Sequence, residues 1–141
     1  GRLVANKAKA LGMEVWAFDP FVPTEKMEAE GVTVPATLED LYANCDYISL
    51  HIPANEKTKG SINYELLSKM PKGGCLVNTA RKEVIDEAGM EQLLADRADL
   101  KYVTDIAPAN QEAFPINQHS AQAFCRTLSN PLLSSLLPSP L

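Results

Sequence analysis

Helix-type and strand-type patterns of apolar residues alternate along the first hundred positions of the chain. Val4, Ala8 and Leu11 fall on one helical face, and a short apolar run follows them. The pattern predicts helices that begin near 3, 24, 37, 63 and 86, and short strands at 13–18, 32–34, 46–50, 75–78 and 102–104. Short apolar strands that alternate with helices are typical of a doubly wound α/β fold, a parallel sheet with helices on both faces.

Short polar side chains stand where several of these helices are predicted to begin. Thr37 and the acidic residue three positions later have the spacing of a capping box, and Asn63 and Asp86 each precede a predicted helix. We expect Thr24 to cap a short helix that stops at Gly31. These signals set the helix boundaries before any packing is considered.

Polar residues also lie just beyond the ends of predicted strands. His51, Arg81 and Asp105 each follow such a strand, and ligands of open parallel sheets bind at the carboxyl ends of strands. An arginine there can hold a carboxylate through two parallel hydrogen bonds, which a lysine cannot. The pattern therefore predicts a ligand site. Taken singly, each residue also fits a plain structural role: a surface arginine, a histidine at the core edge, a capping aspartate.

Composition and charge argue against several classes of binding partner. The net charge is −5 at pH 7 and no basic run is present, which argues against nucleic acid. No apolar run is long enough to span a membrane and no signal peptide is visible, so we expect a cytoplasmic protein without a membrane partner. Cys45, Cys75 and Cys125 lack metal-ligand spacing, so we expect no metal site, and we expect Cys45 and Cys75 to be reduced residues of the core.

The character of the chain changes after about Phe114. Beyond it Leu, Ser and Pro dominate, no periodicity is visible, and Arg126 is the sole charged side chain. We therefore predict a domain at 1–114 and an unassigned tail at 115–141 that is disordered or the product of a frameshift.

Gly1 and Asp19 fit the last part of a dinucleotide-binding fingerprint. In that motif the final glycine allows close packing of helix on strand, and an acidic residue about 20 positions on bonds the ribose hydroxyls. The earlier glycines and the first strand would lie before Gly1, so we expect a truncated Rossmann-like sheet. The alternative is that Asp19 only opens a turn together with Pro20.

Six segments, in order, carry a more specific signal than any one of them: Gly1-Arg2, Ala10 to Met13 leading to Asp19, Ser49 to Pro53 with Thr58-Lys59, Leu67 to Gly74, Val77 to Arg81, and Val103 to Asp105. This set resembles the cofactor domain of the D-isomer-specific 2-hydroxyacid dehydrogenases, over residues 1–114. The resemblance implies an NAD-dependent enzyme that oxidises a small 2-hydroxy acid, and a homo-oligomer for the intact protein.

The resemblance also implies a role for each candidate residue. Arg81 is expected to be the catalytic-site group that holds the substrate carboxylate. Asp19 would bind the adenosine ribose and repel a 2′-phosphate, which favours NAD over NADP. The remaining cofactor-binding candidates are Gly1 at the helix start, His51, Ile52, Pro53 and Thr58 on the adenine and ribose side, Thr79 and Ala80 beside the nicotinamide, and Asp105 facing its carboxamide.

Two departures from the family pattern concern acid–base chemistry. The family carries a glutamate five positions after the aspartate, where this chain has Asn110, and a histidine roughly two dozen residues later, where it has Leu133. His119 comes too early to replace that histidine. The substrate domain of the family also has no counterpart here.

Three readings remain open. The first is a dehydrogenase represented by part of its cofactor domain, with little or no turnover alone. The second is a non-catalytic NAD-binding module, and the third is a truncated product without function.

Overall fold

The computed structural model describes residues 1–106, which all belong to one compact unit. The elements, in order, are α1 (Arg2–Ala10), α2 (Thr24–Glu28), α3 (Leu38–Asn44), β1 (Tyr47–Leu50), α4 (Tyr64–Leu67), β2 (Cys75–Asn78), a 3₁₀ turn (Lys82–Val84), α5 (Glu87–Asp96) and β3 (Lys101–Thr104). The predicted alternation of helices and strands, and with it the Rossmann-like α/β class, is confirmed.

The three strands form a parallel sheet in the order β1-β2-β3. The register aligns Leu50 with Asn78 and Asn78 with Thr104. Because all three strands end in one row, the residues that follow them emerge at the same edge of the sheet. We call this row and the residues just after it the carboxyl edge.

Apolar burial begins only at Leu41. Every buried apolar residue of the described chain lies between Leu41 and Leu100, and neither α1 nor α2 contains a buried residue. The most deeply buried apolar side chains are Tyr42, Leu67, Leu76, Val84, Met90 and Leu93. The core therefore lies between the three-stranded sheet and the helices of the second part of the chain.

Two of the predicted helix caps are confirmed by direct hydrogen bonds. Thr37 Oγ1 accepts from the Asp40 N–H at 3.1 Å, and Asn63 Oδ1 accepts from the Leu66 N–H at 3.0 Å. Asp86 occupies the N-cap position of α5 as expected, but its side chain makes no capping hydrogen bond. Both N–H groups lie in the first turn of their helix, where no carbonyl of the helix is available to accept from them.

The expected cap at Thr24 is wrong by one residue. The carbonyl of Pro23 accepts from the N–H groups of Lys26 and Met27 at 3.0 and 3.3 Å, so Pro23 is the N-cap and Thr24 is the first helical residue. The helix also ends earlier than predicted, at Glu28.

The strands predicted at 13–18 and 32–34 are shorter than expected. They meet in a single parallel bridge between Trp16 and Thr33. Two backbone bonds, Ala17 N–H to Thr33 O and Thr33 N–H to Val15 O, hold it at 2.9 Å each. Within residues 1–106 this pair is not joined to β1, so no neighbouring strand extends its ladder.

At the opposite edge of the sheet, a side-chain clasp joins the loops that precede β2 and β3. Arg97 donates to both carboxylate oxygens of Asp99 at 2.8 Å, and the Gly73 N–H donates to Asp99 at 2.9 Å. The Arg97 guanidinium, followed by this N–H, holds the pKa of Asp99 well below its usual range. Arg97 also donates to the carbonyls of Ser68, Met70 and Pro71.

Candidate functional site

The carboxyl edge gathers residues that the sequence places far apart. His51, Thr79 and Asp105 directly follow the aligned ends of β1, β2 and β3, and all three are exposed. A ligand lying across this edge could therefore reach all three segments. The register thus assembles three of the predicted site residues in one row.

Asn78 shapes the turn that carries Arg81. Its side chain is fully buried at the end of β2, where Oδ1 accepts from the Ala80 N–H at 3.1 Å and Nδ2 donates to the Arg81 carbonyl at 3.0 Å. The sequence analysis did not select Asn78 as a site residue. The available signal was an asparagine ending an otherwise apolar strand, since a buried amide must find partners.

The Arg81 side chain is exposed beyond this turn. Its Nη1 donates to the Ala80 carbonyl at 2.7 Å, which is the one hydrogen bond of the guanidinium within residues 1–106. A guanidinium has five N–H donors, so a planar pair remains for a carboxylate. Arg81 thus lies just beyond the carboxyl edge with part of its guanidinium open to solvent, and its contact with a substrate carboxylate stays a prediction.

His51 lies against the start of α1. Its Nε2 is 3.0 Å from Ser49 Oγ, and a Cβ atom placed on Gly1 would lie 3.7 Å from the His51 ring. Partial burial lowers the pKa of His51. A distance of 3.7 Å is an ordinary contact, so the His51 ring does not by itself require glycine at position 1.

Thr58 closes the loop that follows β1. Its hydroxyl donates to the Pro53 carbonyl at 2.5 Å and accepts from the Asn55 N–H at 2.9 Å. Asn55 Oδ1 accepts in turn from the Thr58 N–H at 3.1 Å, and Ile52 is half-buried at the base of the loop. These bonds fix the loop shape, while contact of Ile52, Pro53 and Thr58 with a cofactor stays a prediction.

A short backbone ladder connects this loop to the turn that carries Arg81. Gly60 donates to Glu83 at 2.9 Å, Ile62 donates to Val84 at 3.0 Å, and Asp86 donates back to Ile62 at 3.0 Å. The segments that follow β1 and β2 are therefore held to each other beyond the sheet.

Asp19 is exposed beside an open depression of about 430 Å³ lined by Phe18, Val34 and Pro35 among others. One carboxylate oxygen accepts from the Phe21 N–H at 2.9 Å, so Asp19 does open a turn. The other oxygen makes no hydrogen bond to any described residue and could accept from a ribose hydroxyl. Turn formation and ribose binding are therefore compatible at this position.

These features fit a dinucleotide. The depression lies beside Asp19, where the ribose is expected, and α1, with Gly1 as its N-cap, has no side-chain cap and no acidic residue in its first turn. A helix start of that kind accepts a phosphate, and the carboxyl edge of a parallel sheet is the usual dinucleotide site. Fold and site together define a nucleotide-binding α/β domain.

Comparison with known protein families gives a more specific assignment than the fold and the site do. The chain matches the family described as D-isomer specific 2-hydroxyacid dehydrogenase, NAD binding domain, over residues 1–131. It belongs to this family, whose members are NAD-dependent dehydrogenases, so the expected family and its cofactor NAD are confirmed. The matched region runs beyond residue 114, where the sequence analysis placed the end of the resemblance.

Individual relatives agree with the family assignment. The chain is 40% identical over 96 residues to (S)-sulfolactate dehydrogenase of Chromohalobacter salexigens, covering 68% of this chain and 31% of that protein. It is 39% identical over 94 residues to D-3-phosphoglycerate dehydrogenase of Bacillus subtilis, covering 67% and 18%. The NAD⁺-bound 3-phosphoglycerate dehydrogenase of Entamoeba histolytica matches with TM-score 0.71 and 38% identity, covering 86% of this chain and 41% of that chain. The chain thus spans less than half the length of these proteins.

Several expectations fall outside the described residues. Asn110, His119, Cys125, Leu133 and the tail at 115–141 all lie beyond residue 106. Up to that residue, no helix is long and apolar enough to cross a membrane, and no cluster of three or more His, Cys, Asp or Glu side chains could hold a metal ion.

Proposed function

We propose that this chain is the NAD-binding part of a cytoplasmic, homo-oligomeric dehydrogenase that oxidises 3-phosphoglycerate, a D-2-hydroxy acid, in serine biosynthesis. The observation that carries the proposal is the aligned carboxyl edge, with Arg81 held just beyond it. The 3-phosphoglycerate dehydrogenases among its relatives supply the choice of substrate.

In this proposal each residue has a positioning task. Arg81 binds the substrate carboxylate through two N–H groups and so orients the carbon that loses hydride. Asp19 binds the ribose through its free oxygen and disfavours a 2′-phosphate by charge. Bound NAD supplies the hydride acceptor, and the protein supplies position and charge.

The substrate assignment has a defined competitor. One relative is a sulfolactate dehydrogenase, and sulfolactate, like 3-phosphoglycerate, is a three-carbon 2-hydroxy acid with a second anionic group. Both would present the same carboxylate to Arg81. Groups outside this chain would then distinguish phosphate from sulfonate.

A non-catalytic NAD-binding module is the alternative. Asn110 and Leu133 stand where the family carries its acid–base pair, which favours binding without turnover. Under either proposal, and equally for a truncated product without function, we expect the isolated chain to bind NAD weakly and to form no NADH from 2-hydroxy acids.

A titration of the ¹⁵N-labelled chain tests the cofactor assignment. NAD should shift amide signals around Asp19 and along the carboxyl edge, and NADP should bind more weakly because its 2′-phosphate meets the Asp19 carboxylate. Asp19→Ala should reduce this preference. Asp46→Ala, which removes another exposed carboxylate, just before β1, should keep it. An unchanged NAD/NADP ratio in Asp19→Ala would refute this role, and absence of NAD shifts at the carboxyl edge would refute the binding proposal.

A further inference from the structure

Asn78 is placed to act on Arg81 without touching a ligand. It is the last residue of β2 and 0% exposed, so its carboxamide cannot exchange its partners for water. A buried amide keeps one orientation when its donors and acceptors are matched, because an unmade hydrogen bond is costly there.

The three partners of the Asn78 carboxamide belong to two different segments. Oδ1 accepts from the Ala80 N–H and Nδ2 donates to the Arg81 carbonyl, both within the turn that follows β2. Nδ2 also donates to the Tyr102 hydroxyl on β3, at 3.3 Å. The side chain therefore connects the neighbouring strand to the turn.

The two bonds to the turn constrain its backbone on both sides of Ala80. With the Ala80 N–H and the Arg81 carbonyl both fixed, the chain direction at Arg81 is fixed as well. The backbone ladder from Gly60 and Ile62 holds the residues just after Arg81. The segment carrying the guanidinium is thus fastened at its beginning by one side chain and at its end by backbone bonds.

We propose that Asn78 is a positioning residue that sets the direction in which Arg81 leaves the sheet, and that the Tyr102 hydroxyl holds the carboxamide in the required orientation. The functional consequence rests on the proposed role of Arg81 as the carboxylate-binding group. The geometric part, an Arg81 direction that depends on Asn78, stands independently of that role.

The test uses the ¹⁵N-labelled full chain and oxamate, a carboxylate with an adjacent carbonyl, as the probe. Asn78→Ala removes both bonds to the turn. Asn78→Asp keeps the acceptor for the Ala80 N–H and loses the donor to the Arg81 carbonyl. Thr104→Val is the matched control, because Thr104 lies beside Asn78 in the strand register and its hydroxyl bonds only the backbone of Ile106 within the described chain.

Asn78→Ala should shift the Ala80 amide and Arg81 Nε–H signals and weaken oxamate binding roughly three- to tenfold, while NAD binding at Asp19 is unchanged. Asn78→Asp should preserve the Ala80 amide signal better than Asn78→Ala does. Parallel weakening of NAD and oxamate would indicate general loss of structure and overturn the proposal, as would Arg81 signals like those of Thr104→Val.

If the Asn78 variants do not fold, Tyr102→Phe provides the alternative test of the proposal. It removes one acceptor at the far side of the carboxamide, and it should shift the Asn78 side-chain NH₂ and Arg81 Nε–H signals. Unchanged signals would contradict the proposal. If wild-type Arg81 does not respond to oxamate but still moves in Asn78→Ala, the substrate role of Arg81 fails and the positioning role of Asn78 stands.

Discussion

Two parts of the described chain differ in how far they bury apolar side chains: residues 1–40, which we call the open part, and residues 41–106, which we call the packed part. All the buried apolar side chains of the described chain lie within residues 41–106, around the three-stranded sheet, and Leu67 and Val84 are 0% exposed. Residues 1–40 bury none, and Leu3 and Phe21 are 76% and 88% exposed. Local signals suffice to form helices in both parts, but only the second part has a sheet face to pack against.

The contrast also divides the candidate site. Gly1 and Asp19 lie in the open part, whereas Arg81 and Asp105 lie in the packed part, where Asn78 and the strand register fix them. Within the open part, Arg2 and Glu30 form an ion pair at 2.8 Å. Exposed pairs of this kind contribute little stability.

The largest effect should come from a cavity in the packed part. Leu67→Ala should lower the free energy of unfolding by about 2–5 kcal/mol, because it removes a fully buried side chain. Leu3→Ala makes the same chemical change at an exposed position and should cost less than about 0.5 kcal/mol. Urea denaturation of the 141-residue chain measures both. Equal costs would mean that the open part is as well packed as the core.

The open part should also govern self-association. Leu3, Leu11 and Phe21 present exposed apolar surface, so the isolated chain should aggregate or be marginally stable. Leu3→Lys combined with Leu11→Lys should shift the chain toward monomer in light scattering. Gln92→Lys with Ala95→Lys adds the same charge on the exposed side of α5 and should not do so. Equal improvement by both pairs would assign the effect to net charge.

The clasp between Arg97 and Asp99 predicts a pH dependence of stability. Because the folded state lowers the pKa of Asp99, its contribution to stability is present above the ordinary aspartate value of about 3.9 and is lost as pH falls below it. Asp99→Asn should therefore lower the urea midpoint at neutral pH, and its difference from wild type should shrink in acid. Asp46→Asn should change neither. A constant difference at every pH would contradict the assignment.

The smallest expected effect is that of Arg81→Lys, which should alter ligand binding alone. Arg81→Lys keeps the charge but loses the paired N–H contact, so oxamate binding should weaken roughly two- to tenfold without a change in stability. Lys82→Ala, at the adjacent exposed position, is the control in the same NMR titration. Equal affinity for oxamate in Arg81→Lys and wild type would remove Arg81 from the site.

The sequence alone determined what depends on neighbours along the chain. Apolar periodicity predicted the α/β class, and Thr37 and Asn63 marked the starts of α3 and α4 because a cap acts within three residues. The spacing of strand ends and polar residues also predicted that His51, Arg81 and Asp105 lie at one edge of a sheet.

Tertiary structure decided what depends on pairing between distant segments. The exact row of Leu50, Asn78 and Thr104 and the reduction of two predicted strands to the Trp16–Thr33 bridge have no local signal. An apolar run becomes an extended strand only where a neighbour supplies its hydrogen bonds and a helix covers its face. In the described chain that condition is met for β1, β2 and β3, and it is not met for the segments around Trp16 and Thr33.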